Sequence, residues 1–332
     1  MTRLRDGAVT AVTAQCGGTR IAADAPYDGR VTEELLRGPE DFDAFWRAAR
    51  DEAARVDPAP RRVEVLRRNA REVVTRVAFR TTGGLTLGGW LREPADGAVD
   101  RLLVRLHGYG GSGGPPEALG LPRTAELSPV LRGLPELGLV EGIPKVAAEH
   151  VLHGIGHRDT YVHRGCVQDV WLAVTAACLL QPSGAGRVGL TGSSFGGGIG
   201  ALALPLESRA EAACLDVPSF GNHPERLRTP CAGSGEAVRL AARTDPLVRG
   251  TIAYFDAATA AARVTRPVLI AAARHDPVVP PVGQFAVFRA LGGPKALLAL
   301  TAGHLEHPGR AAEERLMRGA FAQWLRDPPP AG

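Results

Sequence analysis

The sequence predicts an α/β protein: a doubly wound, mostly parallel sheet with helices on both faces, preceded by antiparallel strands. Three observations carry this. Alternating or β-branched runs broken by a glycine turn fill residues 61–94. From residue 101 onward, short apolar runs alternate with stretches of helical spacing, the rhythm of βα units. The chain has 332 residues, 45% hydrophobic and 22% charged, enough to bury a core in one α/β unit.

In chain order, residues 1–37 show little periodicity and are expected to form a partly mobile extension to one domain spanning 38–328. "GPEDFDAFWRAARDEAARV" places Phe42, Phe45, Trp46, Ala49 and Ala53 on one helical face. "RRVEVLRR", "EVVTRVAFRT" and "LTLGGWLREP" read as an antiparallel meander, with Thr82-Gly83-Gly84 as a turn. "DRLLVRLHG" is a continuous apolar run, as a strand covered on both faces requires. "ELSPVLRG" is a weaker strand, because Pro129 lacks the N–H a ladder uses. "CVQDVWLAVTAACLL" repeats Val167, Val170, Trp171, Val174 and Cys178 at helical spacing and stops before Pro182. The strand "GRVGLTG" and the short helix "FGGGIGALAL" follow, then the strands "EAACLDVP" and "RPVLIAAARHD". A helix in "VGQFAVFRAL", the strand "KALLALTAGH" and the helix "RAAEERLMRGAFAQWLRD" complete the pattern.

Composition excludes several classes of function. The net charge of +4 comes from scattered basic residues, nearly all arginine, with Lys145 and Lys295 the only lysines. Without a basic helix or an interleaved aromatic stripe, no nucleic-acid partner is expected. No stretch is long and apolar enough to span a bilayer, and the first residues lack a secretory-type apolar run. No membrane partner is therefore expected, and the expected location is cytoplasmic. Cys16, Cys166, Cys178, Cys214 and Cys231 lie far apart without a C-x-x-C, so a disulfide framework is not expected. Cys178 and Cys214 sit in apolar runs and read as small core residues. His150, His153, His157 and His163 invite a zinc reading, but Gly154 and Gly156 interrupt the helix that an i, i+4 pair would need. Neither metal nor cofactor is expected.

The pattern G-x-S-x-G occurs twice, around Ser112 and around Ser194. In the α/β-hydrolase fold it marks a tight strand-to-helix turn that lifts a serine hydroxyl above the sheet. Ser112 is followed by Gly113-Gly114-Pro115-Pro116, which opens no helix. Ser194 lies between a strand and a helix, with Gly192, Gly196 and Gly197 as small neighbours. A serine hydroxyl needs a base oriented by an acid, and this fold orders them Ser, acid, His, each after a strand. Asp276 and His304 satisfy order and placement together, with Asp216 as a rival acid and His307 and His275 as rival bases. Acyl transfer also needs donors for the developing oxyanion. The backbone N–H of Phe195 follows the nucleophile, and that of Tyr109 lies in "LHGYGGSGG"; a phosphate cradle competes there, without the Gly-Lys-Ser/Thr it needs.

With these residues the chain resembles the acetyl xylan esterase and cephalosporin C deacetylase group, carbohydrate esterase family 7, over about residues 39 to 326. The likeness runs through "DFDAFW", "LHGYGG", "RDTYVHRG", "GSSFGGG", "DVPSFGN", "YFDAATAAARVTRPVLIAAARHDPVVPP" and "GGPKALLAL…GH". It implies an α/β-hydrolase that deacetylates small acetylated sugars or related esters, with Ser194, Asp276 and His304 as its triad. Tyr109 and Phe195 would then supply the oxyanion donors, and Tyr109, Phe195 and Arg132 would contact substrate.

The chain departs from the family at Arg132-Gly133-Leu134, where Arg-Gly-Gln is usual, at Phe195, where Gln is usual, and at His304-Leu305, where His-Glu is usual. Phe195 predicts a more apolar pocket and a less sugar-like alcohol or a different acyl group, in specialised metabolism. A homo-oligomer is the partner the resemblance implies beside a small-molecule ester. The stretch between Arg132 and Asp159, which helps build the family's ring-shaped hexamer, is shorter here. Two alternatives stand beside the esterase: the same scaffold acting on a non-ester bond or transferring the acyl group, and a non-catalytic scaffold.

Overall fold

The computed structural model describes residues 31–111 and 113–330; Cys16, Ser112 and residues 1–30 of the expected extension lie outside the described residues. The chain begins with α1 (Glu33–Arg37) and α2 (Phe42–Ala54), then β1 (Arg61–Arg68), β2 (Glu72–Arg80), β3 (Thr86–Pro94), β4 (Arg101–Leu106) and β5 (Thr124–Pro129). Next come α3 (Ala147–His150), α4 (Val162–Leu180), β6 (Val188–Ser193), α5 (Phe195–Ala203) and β7 (Ala210–Asp216). Four helices follow: α6 (His223–Arg226), α7 (Gly235–Thr244), α8 (Pro246–Ile252) and α9 (Ala257–Ala261). The chain then runs through β8 (Val268–His275), α10 (Pro281–Ala290), β9 (Lys295–Ala302) and α11 (Arg310–Arg326).

The nine strands form one sheet in the order β1-β2-β3-β5-β4-β6-β7-β8-β9. The first three pairs are antiparallel and the remaining five are parallel. This is the α/β-hydrolase architecture, in which β4 enters mid-sheet and the chain then winds out to both sides. Such a reversal of winding opens a crevice at the carboxyl ends of the parallel strands, where ligands bind.

The strand read as "ELSPVLRG" lies earlier, at Thr124–Pro129. Pro129 closes it opposite Gly89, where a Cβ would stand 2.9 Å from the Pro129 Cα, so a glycine is what lets proline pair here. Beyond Val130 the chain leaves the sheet because Gly133 turns it at φ 77° and the Arg132 guanidinium is drawn to Asp169.

Helices α2, α4, α5, α9 and α10 share one core with the sheet, which includes Trp46, Trp171, Ile199 and Phe285. A second core holds Leu103, Cys214, Leu269 and Leu298 with Phe321, Trp324 and Leu325 of α11. The parallel part of the sheet is thus covered on both faces, which accounts for strands with little alternation there, whereas the edge strand β1 is exposed along its length. The α4 helix is apolar nearly all round because it is buried nearly all round. Its Trp171 Nε1 donates to the Ala203 carbonyl at 3.0 Å, tying α4 to the end of α5. Cys214 is fully buried, whereas Cys178 is only partly so.

Residues 223–261 carry no element in the sequence reading, and the structure folds them into α6 to α9. Three of them run only 4 to 7 residues, too short to show a hydrophobic period, while the ten-residue α7 is amphipathic, burying Val238 and Ala242. The α1 helix falls within the stretch read as an extension and is docked on α9: Thr259 Oγ1 donates to the Leu35 carbonyl at 2.6 Å. Among the described residues no helix is long and apolar enough to cross a membrane.

Candidate active site

The elbow sits where β6 becomes α5. Ser194 adopts φ 53° and ψ −114°, a conformation that a non-glycine residue enters only when its surroundings force it. They do so through the backbone. The Ser194 N–H donates to the Asp216 carbonyl at 2.9 Å, and its own carbonyl accepts from Gly198 at 3.0 Å and Ser219 at 3.1 Å. The glycines make the turn tight enough. A Cβ on Gly192 would lie 2.3 Å from the Gly196 carbonyl oxygen, and one on Gly196 would lie 2.6 Å from the His107 carbonyl oxygen.

Two later loops deliver the partners. Asp276 follows β8 directly, and His304 lies just past β9. The His304 Nε2 stands 3.2 Å from Ser194 Oγ, and its Nδ1 stands 2.8 Å from Asp276 Oδ2. With Nδ1–H donating to the carboxylate, Nε2 is left as the acceptor for the serine proton. The Asp276 side chain is fully buried and fully used. Its Oδ1 accepts the Val278 and Val279 N–H groups at 2.9 and 3.0 Å, and its Oδ2 also accepts from Gln284 Nε2 at 3.1 Å. Gln284 is itself oriented, since its Oε1 accepts the Ala273 N–H at 2.7 Å. A Cβ on Gly303 would lie 2.2 Å from Asp276 Oδ2, so only glycine lets the chain pass the carboxylate to present His304.

The rivals stand elsewhere. Asp216 Oδ2 accepts the Ser193 hydroxyl at 2.8 Å instead of facing the His304 ring nitrogens. His307 points its Nε2 at Glu313, 3.6 Å away, and His275 is an exposed residue at the end of β8.

Burial pushes the Asp216 carboxyl up to about 6, beside a second cavity of ≈ 270 Å³. The folded-state value lies above the ordinary carboxylate value, so the folded protein holds this proton more tightly than the unfolded chain. Its contribution to stability is complete below about pH 4 and is lost as the pH rises through about 6. Asp216→Asn is therefore expected to raise the thermal midpoint at pH 8, by at most about 3 kcal/mol of stability, with the gain shrinking from pH 6 to pH 4. Thermal melts of both proteins across that range check the sign.

Tyr109 and Phe195, the two expected oxyanion donors, stack their rings at a centroid distance of 4.1 Å and an angle of 29°. The Tyr109 hydroxyl lies 3.1 Å from both His150 Nδ1 and His163 Nε2. Protons can be assigned along this chain. His150 Nε2 faces the Arg132 carbonyl at 2.9 Å and must donate, so its Nδ1 accepts from the tyrosine, and the tyrosine oxygen accepts from His163 Nε2–H. The assignment needs the His150 imidazole neutral, since its Nδ1 accepts. Burial favours that form, pushing His150 down and His163 well down from the usual histidine value.

The histidine cluster that invited a metal reading is thus divided. His150 and His163 serve Tyr109, while Gly154, at φ 69°, breaks the chain between His153 and an exposed His157.

A cavity of ≈ 580 Å³ opens over Ser194 and His304, with Tyr109, Phe220, Ser219 and Arg226 in its wall. Two residues expected to contact substrate do not line it. The Phe195 ring is fully buried behind Tyr109, and Arg132 gives its guanidinium to Asp169, at 2.6 and 3.0 Å, and to Thr82 Oγ1 at 2.8 Å. Ser193, the elbow's neighbouring serine, reaches both cavities. Gln284 and Arg226 carried no signal in sequence, since a single glutamine or arginine on a helix has no pattern to betray it.

The acetyl xylan esterase family profile (AXE1) matches residues 32–318. The chain belongs to this family. As a member it is a carboxylic ester hydrolase of the serine hydrolase type. Acetyl esterase Axe7A of Xylanibacter ruminicola is 24% identical over 308 residues, covering 84% of this chain and 68% of that protein. The acetyl xylan esterase of Paenibacillus sp. R4 superposes with a TM-score of 0.75 at 23% identity, over 88% of this chain and all of that one. Acetyl xylan esterase 1 of Thermoanaerobacterium gives 0.70 at 19% identity, over 88% and 99% of the two chains. These superpositions show that the chain shares the α/β-hydrolase fold of those two proteins.

Proposed function

We propose that this protein hydrolyses small acyl esters, acetyl esters first, of a sugar or specialised metabolite, through an acyl-enzyme on Ser194. The observation that carries the reading is the unbroken relay from Ser194 Oγ through His304 to Asp276, opening on a cavity of ≈ 580 Å³. His304 takes the serine proton as Oγ attacks the ester carbonyl, and Asp276 stabilises the imidazolium that forms. The C–O bond then breaks, His304 returns the proton to the leaving alcohol, and water repeats the sequence to release the acid.

The developing oxyanion is assigned to the N–H groups of Tyr109 and Phe195. Phe195 opens α5, where an N–H has no acceptor within the helix. The Gly108 carbonyl accepts from His107 Nδ1 at 2.8 Å and from Gly111 at 3.0 Å, and a trans peptide directs the Tyr109 N–H the opposite way. Gly108 also passes Ser194 closely, since a Cβ there would stand 3.4 Å from the serine Cβ. Arg132 and the Phe195 ring act from behind as supports: Arg132 holds His150 through its carbonyl, and Phe195 stacks on Tyr109. The four described cysteines are all free thiols, in keeping with the cytoplasmic location proposed.

Turnover of p-nitrophenyl acetate, butyrate and octanoate tests the reading. The acetate is expected to be the best substrate by about tenfold or more, a few methylenes being worth that in a shaped pocket. Hydrolysis in ¹⁸O-water should place label in the released acid. No turnover of any ester, or acid without label, would sink the proposal.

A further inference from the structure

Among the described residues, one charged side chain in the cavity wall forms no ion pair within 4 Å. Arg226, the last residue of α6, is 8% exposed and lines the same cavity as Ser194 and His304. Its Nη2 donates to Cys231 Sγ at 3.4 Å, whereas its buried Nη1 has no hydrogen-bond partner. A guanidinium in the cavity wall with no ion-pair partner is a positive charge that an anionic group on a ligand would compensate.

The surroundings strengthen the requirement. Among the described residues, no aspartate or glutamate lines the cavity. His223, which also lines it, is pushed down by burial, which favours its neutral form. Glu236 feels Arg226, but its oxygens are taken by Arg239 and by the Cys231 N–H. A Cβ on Gly235 would lie 2.3 Å from Arg226 Nη2, so the guanidinium presses on the first residue of α7, where the helix end adds positive potential. On its other side, a Cβ on Gly283 would lie 3.0 Å from Arg226 Cδ. The side chain is wedged between α7 and α10, held in place ahead of any ligand.

We propose that this cavity selects esters that carry a carboxylate, bound by Arg226 while the acyl carbonyl lies at Ser194. The inference rests on the ester-hydrolase reading above and adds the charge class of its substrate. An acetyl group is uncharged, so the carboxylate belongs to the alcohol part. The cavity of ≈ 580 Å³ has room for an acetyl group and a substituted ring or single sugar unit together. A charge-assisted hydrogen bond from the guanidinium to a carboxylate would fix the alcohol's orientation as well as its charge.

Kinetics with 4-acetoxybenzoate and its uncharged methyl ester test this, each rate being divided by that pair's rate of alkaline hydrolysis. The native protein is expected to favour the anion about tenfold or more in kcat/KM, the worth of one charge-assisted hydrogen bond. Arg226→Gln should bring that ratio near one, and Arg226→Lys should keep part of it. Because the ratio is taken within each variant, a general loss of activity does not mimic the effect. A ratio unchanged by Arg226→Gln overturns the proposal.

Mono-p-nitrophenyl succinate against p-nitrophenyl acetate places the charge on the acyl side instead. An Arg226-dependent preference seen only there overturns the alcohol assignment. Benzoate should also raise the thermal midpoint of the native protein, where benzamide and Arg226→Gln with benzoate show no rise. Equal behaviour of benzoate and benzamide counts against the proposal even if no ester is turned over. Turnover of p-nitrophenyl acetate without any charge preference removes this inference and leaves the esterase reading standing.

Discussion

Replacing Ser194 with alanine is expected to lower kcat/KM for an acetyl ester by about four to six orders of magnitude. His304→Ala should fall as far, and the double variant no further, because the hydroxyl and the imidazole act as one unit and either loss disables both. The chain should stay folded. Alanine keeps the Cβ at φ 53° and ψ −114° and the backbone bonds to Asp216, Gly198 and Ser219, losing only an oxygen that faces His304 and the cavity. Steady-state kinetics with thermal melts on the three variants check both halves. Labelling of the native protein by a fluorophosphonate should vanish with Ser194→Ala. Retention of more than about one per cent of native activity would show that another group attacks the ester.

The second large effect concerns stability. Gly192→Ala would place a Cβ 2.3 Å from the Gly196 oxygen and 2.9 Å from the Gly197 nitrogen. Both are backbone atoms of the first turn of α5, and no rotamer change can clear them. The expected loss is about 3 kcal/mol or more, with activity falling too as Ser194 is displaced. Gly196→Ala should behave alike, since its Cβ would meet the Leu106 carbonyl carbon at 2.7 Å. The other G-x-S-x-G match provides the control. Neither Gly110 nor Gly114 has any atom within 4 Å of a built Cβ, so Gly114→Ala should change stability by less than about 0.5 kcal/mol. Chemical denaturation of the variants compares them directly. A Gly192→Ala protein as stable as the native one would mean that the elbow is looser than its geometry implies.

The same contrast shows what could be read from residues alone. Both glycine patterns satisfy the motif, and only the strand before Ser194 and the helix after it distinguish them. Asp276 and His304 were legible because each follows a continuous apolar run that reads as a buried strand. Gln284, which donates to Asp276 Oδ2 from one turn into α10, was not legible, because its role arises from a loop folding back on a helix. The histidine cluster misled in an instructive way. Its spacing invited a metal, yet His150 and His163 lie 13 residues apart and meet at a single tyrosine hydroxyl. Arg132 and Phe195 were placed at the substrate by likeness to a family, and burial sets both behind the wall.

By itself the order of residues determined the layered α/β class, the nine strands but for one boundary, and the three side chains that meet at the end of the sheet. Period-two and period-3.6 patterns are local, and strand-then-turn signals survive in one dimension. The tertiary structure alone decided which polar groups face the cavity and which brace it from behind. Orientation and burial depend on contacts between segments far apart in sequence, so an arginine that supports a loop and an arginine outside any ion pair look alike until the chain is folded.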